Sequence, residues 1–185
     1  WVGDKLTRTD YVGSNGVAYR RLDYTYGSGQ ASYWKTSETD TDLLSGQVRY
    51  VAIAYAFHPN GMLAARAIST AITATASATE TESFDSLGNL TSFTNAVGHV
   101  TAWGGHDALG RPSSMTDPNG VATSYVYDVK GNVTSISQTL PAGVRTTAIT
   151  YNGDGQTTSM SLPSGWSRDY VYNSAGRLIT AAQGQ

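Results

Sequence analysis

Glycine recurs along the second half of this chain at Gly88, Gly110, Gly131, Gly155 and Gly176, with successive members 22, 21, 24 and 21 residues apart. A period this short and this constant constrains the fold more than any other feature, because it describes one small supersecondary unit laid down repeatedly. Each glycine closes the same five-residue pattern: Phe84-Asp85-Ser86-Leu87-Gly88, His106-Asp107-Ala108-Leu109-Gly110, Tyr127-Asp128-Val129-Lys130-Gly131, Tyr151-Asn152-Gly153-Asp154-Gly155 and Tyr172-Asn173-Ser174-Ala175-Gly176. A second series, Gly98, Gly120, Gly143 and Gly165, lies between them, three of its members following Pro118, Pro141 and Pro163 by two residues. Together the series place a turn signal every 10 to 12 residues, the rhythm of successive antiparallel strands rather than of strand-helix-strand units. Each repeat therefore reads as a β-hairpin.

The turn residues supply a mechanism. Asp or Asn at the first position accepts bonds from backbone N–H groups further on, and the glycine takes positive φ without a Cβ clash. In the second series proline presets φ at about −65°, and Asn119-Gly120 or Ser164-Gly165 follows as the pair suited to a left-handed turn. Between turns, Tyr125 and Tyr127 share one face with Val126 on the other, and Tyr170 and Tyr172 flank Val171 likewise, which is strand alternation. The first part of the chain reads as an eroded version: Asn15-Gly16-Val17-Ala18 echoes Asn119-Gly120-Val121-Ala122, Tyr24-Thr25-Tyr26 echoes Tyr125-Val126-Tyr127, and Phe57-His58-Pro59-Asn60-Gly61 is another turn. Met62 to Thr81 mixes helix-favouring Ala64-Ala65-Arg66-Ala67 with a β-branched stretch from Ile68 to Thr75 and is assigned as strand. The array divides into a degenerate β region, 1–83, and a regular one, 84–185.

Composition agrees and narrows the function. Only 14% of residues are charged, against about 25% in typical soluble domains. Twelve Lys and Arg, set against fourteen Asp and Glu, are scattered singly, so no electrostatic footprint for nucleic acid is present. Cysteine is absent, which excludes disulfides, thiolate metal sites and cysteine nucleophiles. The longest weakly polar run, Val51 to Phe57, is far short of the ~18 residues of a membrane helix. Trp1 in the first position, with no basic and apolar leader after it, suggests a fragment of a longer polypeptide.

The segment Tyr125-Val126-Tyr127-Asp128-Val129-Lys130-Gly131-Asn132-Val133, with Asp107-Ala108-Leu109-Gly110-Arg111 and the interleaved Pro-x-Gly turns, is similar to the YD repeats of the RHS family. The resemblance covers residues 84–185 closely and the earlier part weakly, with departures at Glu82, Gly104, His106 and Gly153-Asp154 that are expected to deform the sheet locally. It implies an all-β fold in which consecutive antiparallel hairpins form part of a long sheet spiralling into a hollow shell, as in the C component of insecticidal toxin complexes, bacterial polymorphic toxins and the extracellular part of teneurins. It further implies a secreted or cell-surface bacterial location. The partners it implies are the other repeats of the parent polypeptide, an enclosed C-terminal cargo and, in a second reading, carbohydrate.

No set of residues reads as catalytic. His58, His99 and His106 lack partners at the spacing of helical zinc motifs. His106-Asp107 resembles a dyad, yet alignment with Tyr127-Asp128 makes Asp107 a turn residue. Asp85 and Asp128 recur once per unit, as turn capping requires and a glycosidase pair does not. Ser113, Ser114 and Ser164 lack a nucleophile elbow, and Gly27-Ser28-Gly29 lacks the flanks of one and the lysine of a phosphate loop. Trp34, Trp103 and Trp166 with the tyrosine rows offer cross-strand packing or stacking surfaces for sugar rings. The candidate glycan-stacking residues are Trp103, Tyr125, Tyr127 and Trp166. The expectation is a non-enzymatic shell segment without cofactor or metal, with a carbohydrate-binding adhesion module as the alternative.

Overall fold

The computed structural model describes residues 5–73 and 76–184. Trp1 and the Ala74-Thr75 part of the Met62 to Thr81 strand assignment fall outside them. The chain forms two compact units, Trp1–Val100 and Thr101–Gln185. Unit 1 contains β1 (Arg8–Val12), β2 (Ala18–Tyr26), β3 (Lys35–Asp42), β4 (Val48–Phe57), β5 (Leu63–Thr73), β6 (Ala76–Phe84) and β7 (Leu90–Thr94), with one short 3-10 turn at Gly29–Ala31. β8 (Val100–Gly104) begins at the boundary. Unit 2 continues with β9 (Ser114–Thr116), β10 (Ala122–Tyr127), β11 (Val133–Leu140), β12 (Gly143–Tyr151), β13 (Thr157–Ser161), β14 (Ser167–Tyr172) and β15 (Leu178–Gly184). Within each unit every strand pairs antiparallel with the strand before and after it in sequence.

The reversals follow from local chemistry. In Asp128 to Asn132, the Gly131 N–H donates to the Asp128 carbonyl at 3.0 Å and the Asp128 N–H to the Asn132 carbonyl at 2.9 Å. This is a type I turn followed by a residue of positive φ, a three-residue hairpin loop whose last residue must be left-handed; Gly131 supplies φ 95. The same pair of bonds recurs at 13–17, 58–62, 85–89, 95–99, 107–111, 117–121, 152–156, 162–166 and 173–177. Asn119 and Ser164 are not left-handed: among the described residues only glycines have positive φ, because the loop demands that conformation at its fourth residue alone. Pro141-Ala142 also departs from the Pro118 and Pro163 turns. Leu140 pairs directly with Gly143 across a two-residue loop, and the extra residues of this 24-residue repeat lengthen β11 and β12 instead.

The repeats that depart from the pattern differ in effect. The loop at Asn152 to Gln156 is regular despite Gly153-Asp154. Around His106 the ladder is interrupted: Gly105 takes φ 62, the Ser113 N–H is shared between the Gly104 and Gly105 carbonyls, and β9 is three residues long.

Neither unit has a conventional core. Leu22 is the one buried hydrophobic side chain among the described residues, at 8% exposure, and Ser37 and Thr123 are buried polar ones. Stability must instead come from hydrogen-bonded ladders and side-by-side packing of half-buried side chains on neighbouring strands, the pattern of a repeat whose units bury little alone.

Candidate functional site

Strand alternation and cross-strand register sort the side chains of unit 2 onto two unlike faces. Tyr125 pairs with Ile136, Gln138 with Arg145, Ile149 with Met160, and Met160 with Arg168, two residues from Tyr170. Directly paired residues point to the same side, so these side chains share one face with Tyr127, Tyr151 and Tyr172. The other face carries Ser124, Ser137, Thr146, Thr150 and Ser159, with Val126 and Val171 exposed. Its hydroxyls bond one another, as between Ser137 and Thr146 at 2.9 Å. Unit 1 shows the same division: Leu22, Ile53, Tyr55 and Ile68 lie opposite a face of Thr39, Tyr50, Ala52 and Ser69.

The tyrosine that precedes the turn residue acts as a clamp. The Tyr127, Tyr151 and Tyr172 hydroxyls donate to the carbonyls of Pro112, Val133 and Thr157 at 2.8, 2.8 and 2.9 Å. In unit 1, Tyr26 donates to Leu6 and Tyr55 to Lys35. Each of the three bonds in unit 2 ties the end of one strand to the start of the preceding one, just past the previous loop. The aromatic body covers its neighbours while its polar tip is satisfied.

The candidate turn residues hold the loops. Asp128 Oδ1 accepts from the Lys130 and Asn132 N–H groups at 2.9 and 2.8 Å, and Oδ2 from Asn132 Nδ2 at 2.9 Å. Asp85 has the same three bonds from Leu87 and Asn89, and Asn152 and Asn173 accept the two backbone bonds. At Asp107 the acceptors serve Leu109, Arg111 and the Arg111 guanidinium, which also lies 4.7 Å over the Tyr127 ring. The Arg111 bonds hold the Asp107 carboxyl below its ordinary range, and the Asn132 side chain does the same for Asp128. These carboxylates are committed acceptors rather than proton carriers.

The two glycine series occupy different surroundings. A Cβ built on Gly131 would lie 2.6 Å from Arg111 Nη1, and one on Gly176 3.4 Å from Gln156 Nε2, so in each case the last residue of one loop reaches the glycine of a later loop on the same edge. Gln156 Nε2 also donates to the Gly176 carbonyl, and Lys130 Nζ to that of Gly153. Gly110 and Gly155 take the same left-handed conformation in their loops. On the opposite edge Gly120, Gly143 and Gly165 face open space.

The histidine candidates are dispersed. His58 Nε2 bonds the Phe84 carbonyl at 2.9 Å, the exposed His99 closes the 95–99 loop through its backbone, and half-buried His106 leads into the Asp107 turn. Among the described residues no three His, Cys, Asp or Glu side chains gather as metal ligands. Trp103 is on β8, Tyr125 on β10 with its hydroxyl toward Met115 Sδ, and Trp166 ends a loop at 39% exposure. Trp103 pairs with Met115 and Met115 with Thr123, so Trp103, Tyr125 and Tyr127 share one face, while Trp166 closes the 162–166 loop. A concavity of about 640 Å³ in unit 1 contains Arg20, Asp40, Asp42 and Arg49. Its acids are engaged: Asp40 by Arg20 Nε and Nη2, Asp42 by Ser45, and both carboxyls are held below their usual range by those bonds. Sequence reading alone missed Arg145 and Arg168, exposed guanidiniums on the tyrosine face. Strand alternation puts them on the side of Tyr151 and Tyr170, but register is needed to show what stands beside them.

A family model described as RHS Repeat matches residues 84–122, 106–145 and 151–185, more than half of the chain. No curated protein matches. Among solved structures, one titled as the crystal structure of TcdB2-TccC3 aligns at 12% identity and TM-score 0.40, over 94% of this chain and 13% of its own. Another, the same complex without its hypervariable C-terminal region, aligns at 12% and 0.39 over 94% and 13%. The Photorhabdus luminescens Tc holotoxin pore aligns at 11% and 0.31 over 96% and 15%. The chain spans about one seventh of the length of these structures. Among the described residues no helix is long and apolar enough to cross a membrane.

Proposed function

Because this chain belongs to the RHS repeat family, we propose that it is a non-catalytic wall segment of a shell that encloses a C-terminal toxin or effector polypeptide, in an exported bacterial protein. The observation that carries this reading is a sheet with one apolar and one hydroxyl-rich face and a single buried hydrophobic side chain among the described residues. Such a sheet gains cohesion from further repeats on either side, and its apolar face suits an interior. The acids of the turns are bonded to their own loops, which favours scaffolding over turnover.

The test is limited proteolysis of the parent polypeptide. With the wall intact, the C-terminal segment should resist a protease that digests it rapidly once the hairpins are weakened by Gly131→Val with Gly176→Val. Equal digestion in both would refute enclosure.

A second reading, glycan binding, draws on the exposure of Trp166 and on the half-buried Trp103 and Tyr125. Tyr127 is less suited, since Arg111 covers one side of its ring. Glycan-array binding lost on Trp166→Ala would favour this reading, and no binding would remove it.

A further inference from the structure

We infer that the tyrosine face of unit 2 docks an extended polypeptide segment in which apolar side chains are interspersed with acidic ones. The face is continuous through Tyr125, Ile136, Ile149, Met160 and Tyr170, and its charge has one sign. Arg145 and Arg168 stand on it, both exposed, with no ion-pair partner among the described residues. The acids of unit 2 are elsewhere. Asp107, Asp117, Asp128 and Asp154 lie in loops, and Asp169, adjacent to Arg168 in β14, points to the opposite face.

Unit 1 provides the contrast. On its corresponding face Arg20 pairs with Asp40, Lys35 with Glu38 and Arg66 with Glu82, and Arg49 lies opposite Asp40 in register. Each unit has an apolar face, but in unit 1 the cations on it stand beside acids of the same face, whereas among the described residues Arg145 and Arg168 have none there. Two separated guanidiniums set among Ile149, Met160 and tyrosines do not match a polyphosphate backbone, which needs a basic track. They match carboxylates carried on a chain that also buries apolar side chains. Arg145 and Arg168 are two strand spacings and four residues apart, roughly 16 Å by strand geometry. Carboxylates about four or six residues apart, an even spacing that keeps both on one side of an extended segment, would reach both with the arginine side chains' own length.

The inference rests on the shell reading for its setting, since it assigns a chemistry to the enclosed chain. Its test is separate. Labelled extended peptides of about twelve residues, with two Asp about six residues apart on the Leu side of an alternating Leu and Ser sequence, are titrated against the whole chain by fluorescence anisotropy, beside counterparts with Asn or Lys in place of Asp. The Asp peptide should bind about fivefold tighter than the Asn peptide, and R145Q with R168Q should remove that margin, as should high salt. R145E with R168E should reverse the preference toward the Lys peptide, an inversion that a folding defect would not produce. Equal binding of the three peptides, no effect of the double variant, or tighter binding of a single-stranded oligonucleotide would overturn the inference. Cargo shielding without charge preference would sink this inference alone, and charge preference without shielding would sink the shell reading alone.

Discussion

Gly131 and Gly120 occupy the same position in equivalent loops and differ in what lies beyond the missing Cβ, so alanine at each separates backbone strain from crowding. Both glycines are left-handed, at φ 95 and 80, and alanine there costs about 1–2 kcal/mol. At Gly120 that is the whole effect, because nothing lies within 4 Å. At Gly131 the new methyl would sit 2.6 Å from Arg111 Nη1, so the guanidinium must move off the Tyr127 ring, which lies at 4.7 Å. Losing that stacking adds about 0.5–1 kcal/mol. Gly131→Ala should therefore destabilise unit 2 by about 1.5–3 kcal/mol, more than Gly120→Ala. The assay is urea unfolding followed by hydrogen exchange at amides of β10 and β11, repeated in an Arg111→Ala background. There the two substitutions should cost the same, since the obstacle is gone. Equal costs in the parent chain, or a difference that survives Arg111→Ala, would refute the crowding argument.

Removing the hydroxyl clamps by Tyr127→Phe, Tyr151→Phe or Tyr172→Phe should cost about 0.5–1.5 kcal/mol each, with amide exchange accelerating first near Pro112, Val133 or Thr157 respectively; unchanged exchange would mean that the hydroxyls are merely solvated. Asp107 and Asp128 have folded pKa values below their unfolded ones, so their contribution is fully present above about pH 4 and is lost as pH falls through the folded values. Asp128→Asn, which keeps the acceptor as Asn152 and Asn173 do, should flatten that acid decline in a series of urea midpoints. Asn152→Ala strips the acceptor from the Asp154 and Gln156 N–H groups and should lower stability by about 1 kcal/mol, as loss of a helix N-cap does, read from the urea midpoint beside Asn152→Asp, which should be nearly neutral.

The parts of this architecture visible in the sequence are those set by local demands. A left-handed residue at the fourth loop position calls for glycine, and an acceptor at the first calls for Asp or Asn, so Asp128 and Gly131 mark a reversal without reference to anything distant. Likewise Tyr125, Val126 and Tyr127 declare alternation by themselves. Pro141-Ala142-Gly143 shows where the signal fails: it resembles Pro118-Asn119-Gly120 as a string, yet strand length, not turn chemistry, decides that Leu140 pairs with Gly143. The docking face was illegible for a longer-range reason. Each repeat shifts register by a bulge, between Val126 and Tyr127, Thr150 and Tyr151, and Val171 and Tyr172, so the neighbour of Arg145 or Arg168 follows only from paired strands. The reach of Arg111 to Gly131 is hidden for the same reason.

The unlike surroundings of the two glycine series restrict how such a chain can change in length over generations. Because side chains interlock along one margin and not along the other, losing a lone strand would carry a bare loop into an interlocked row and turn tyrosines out among serines. Loss or gain of two strands at once preserves both margins and both faces. Natural variants should accordingly differ by multiples of roughly 22 residues, with odd-numbered changes in strand count selected against.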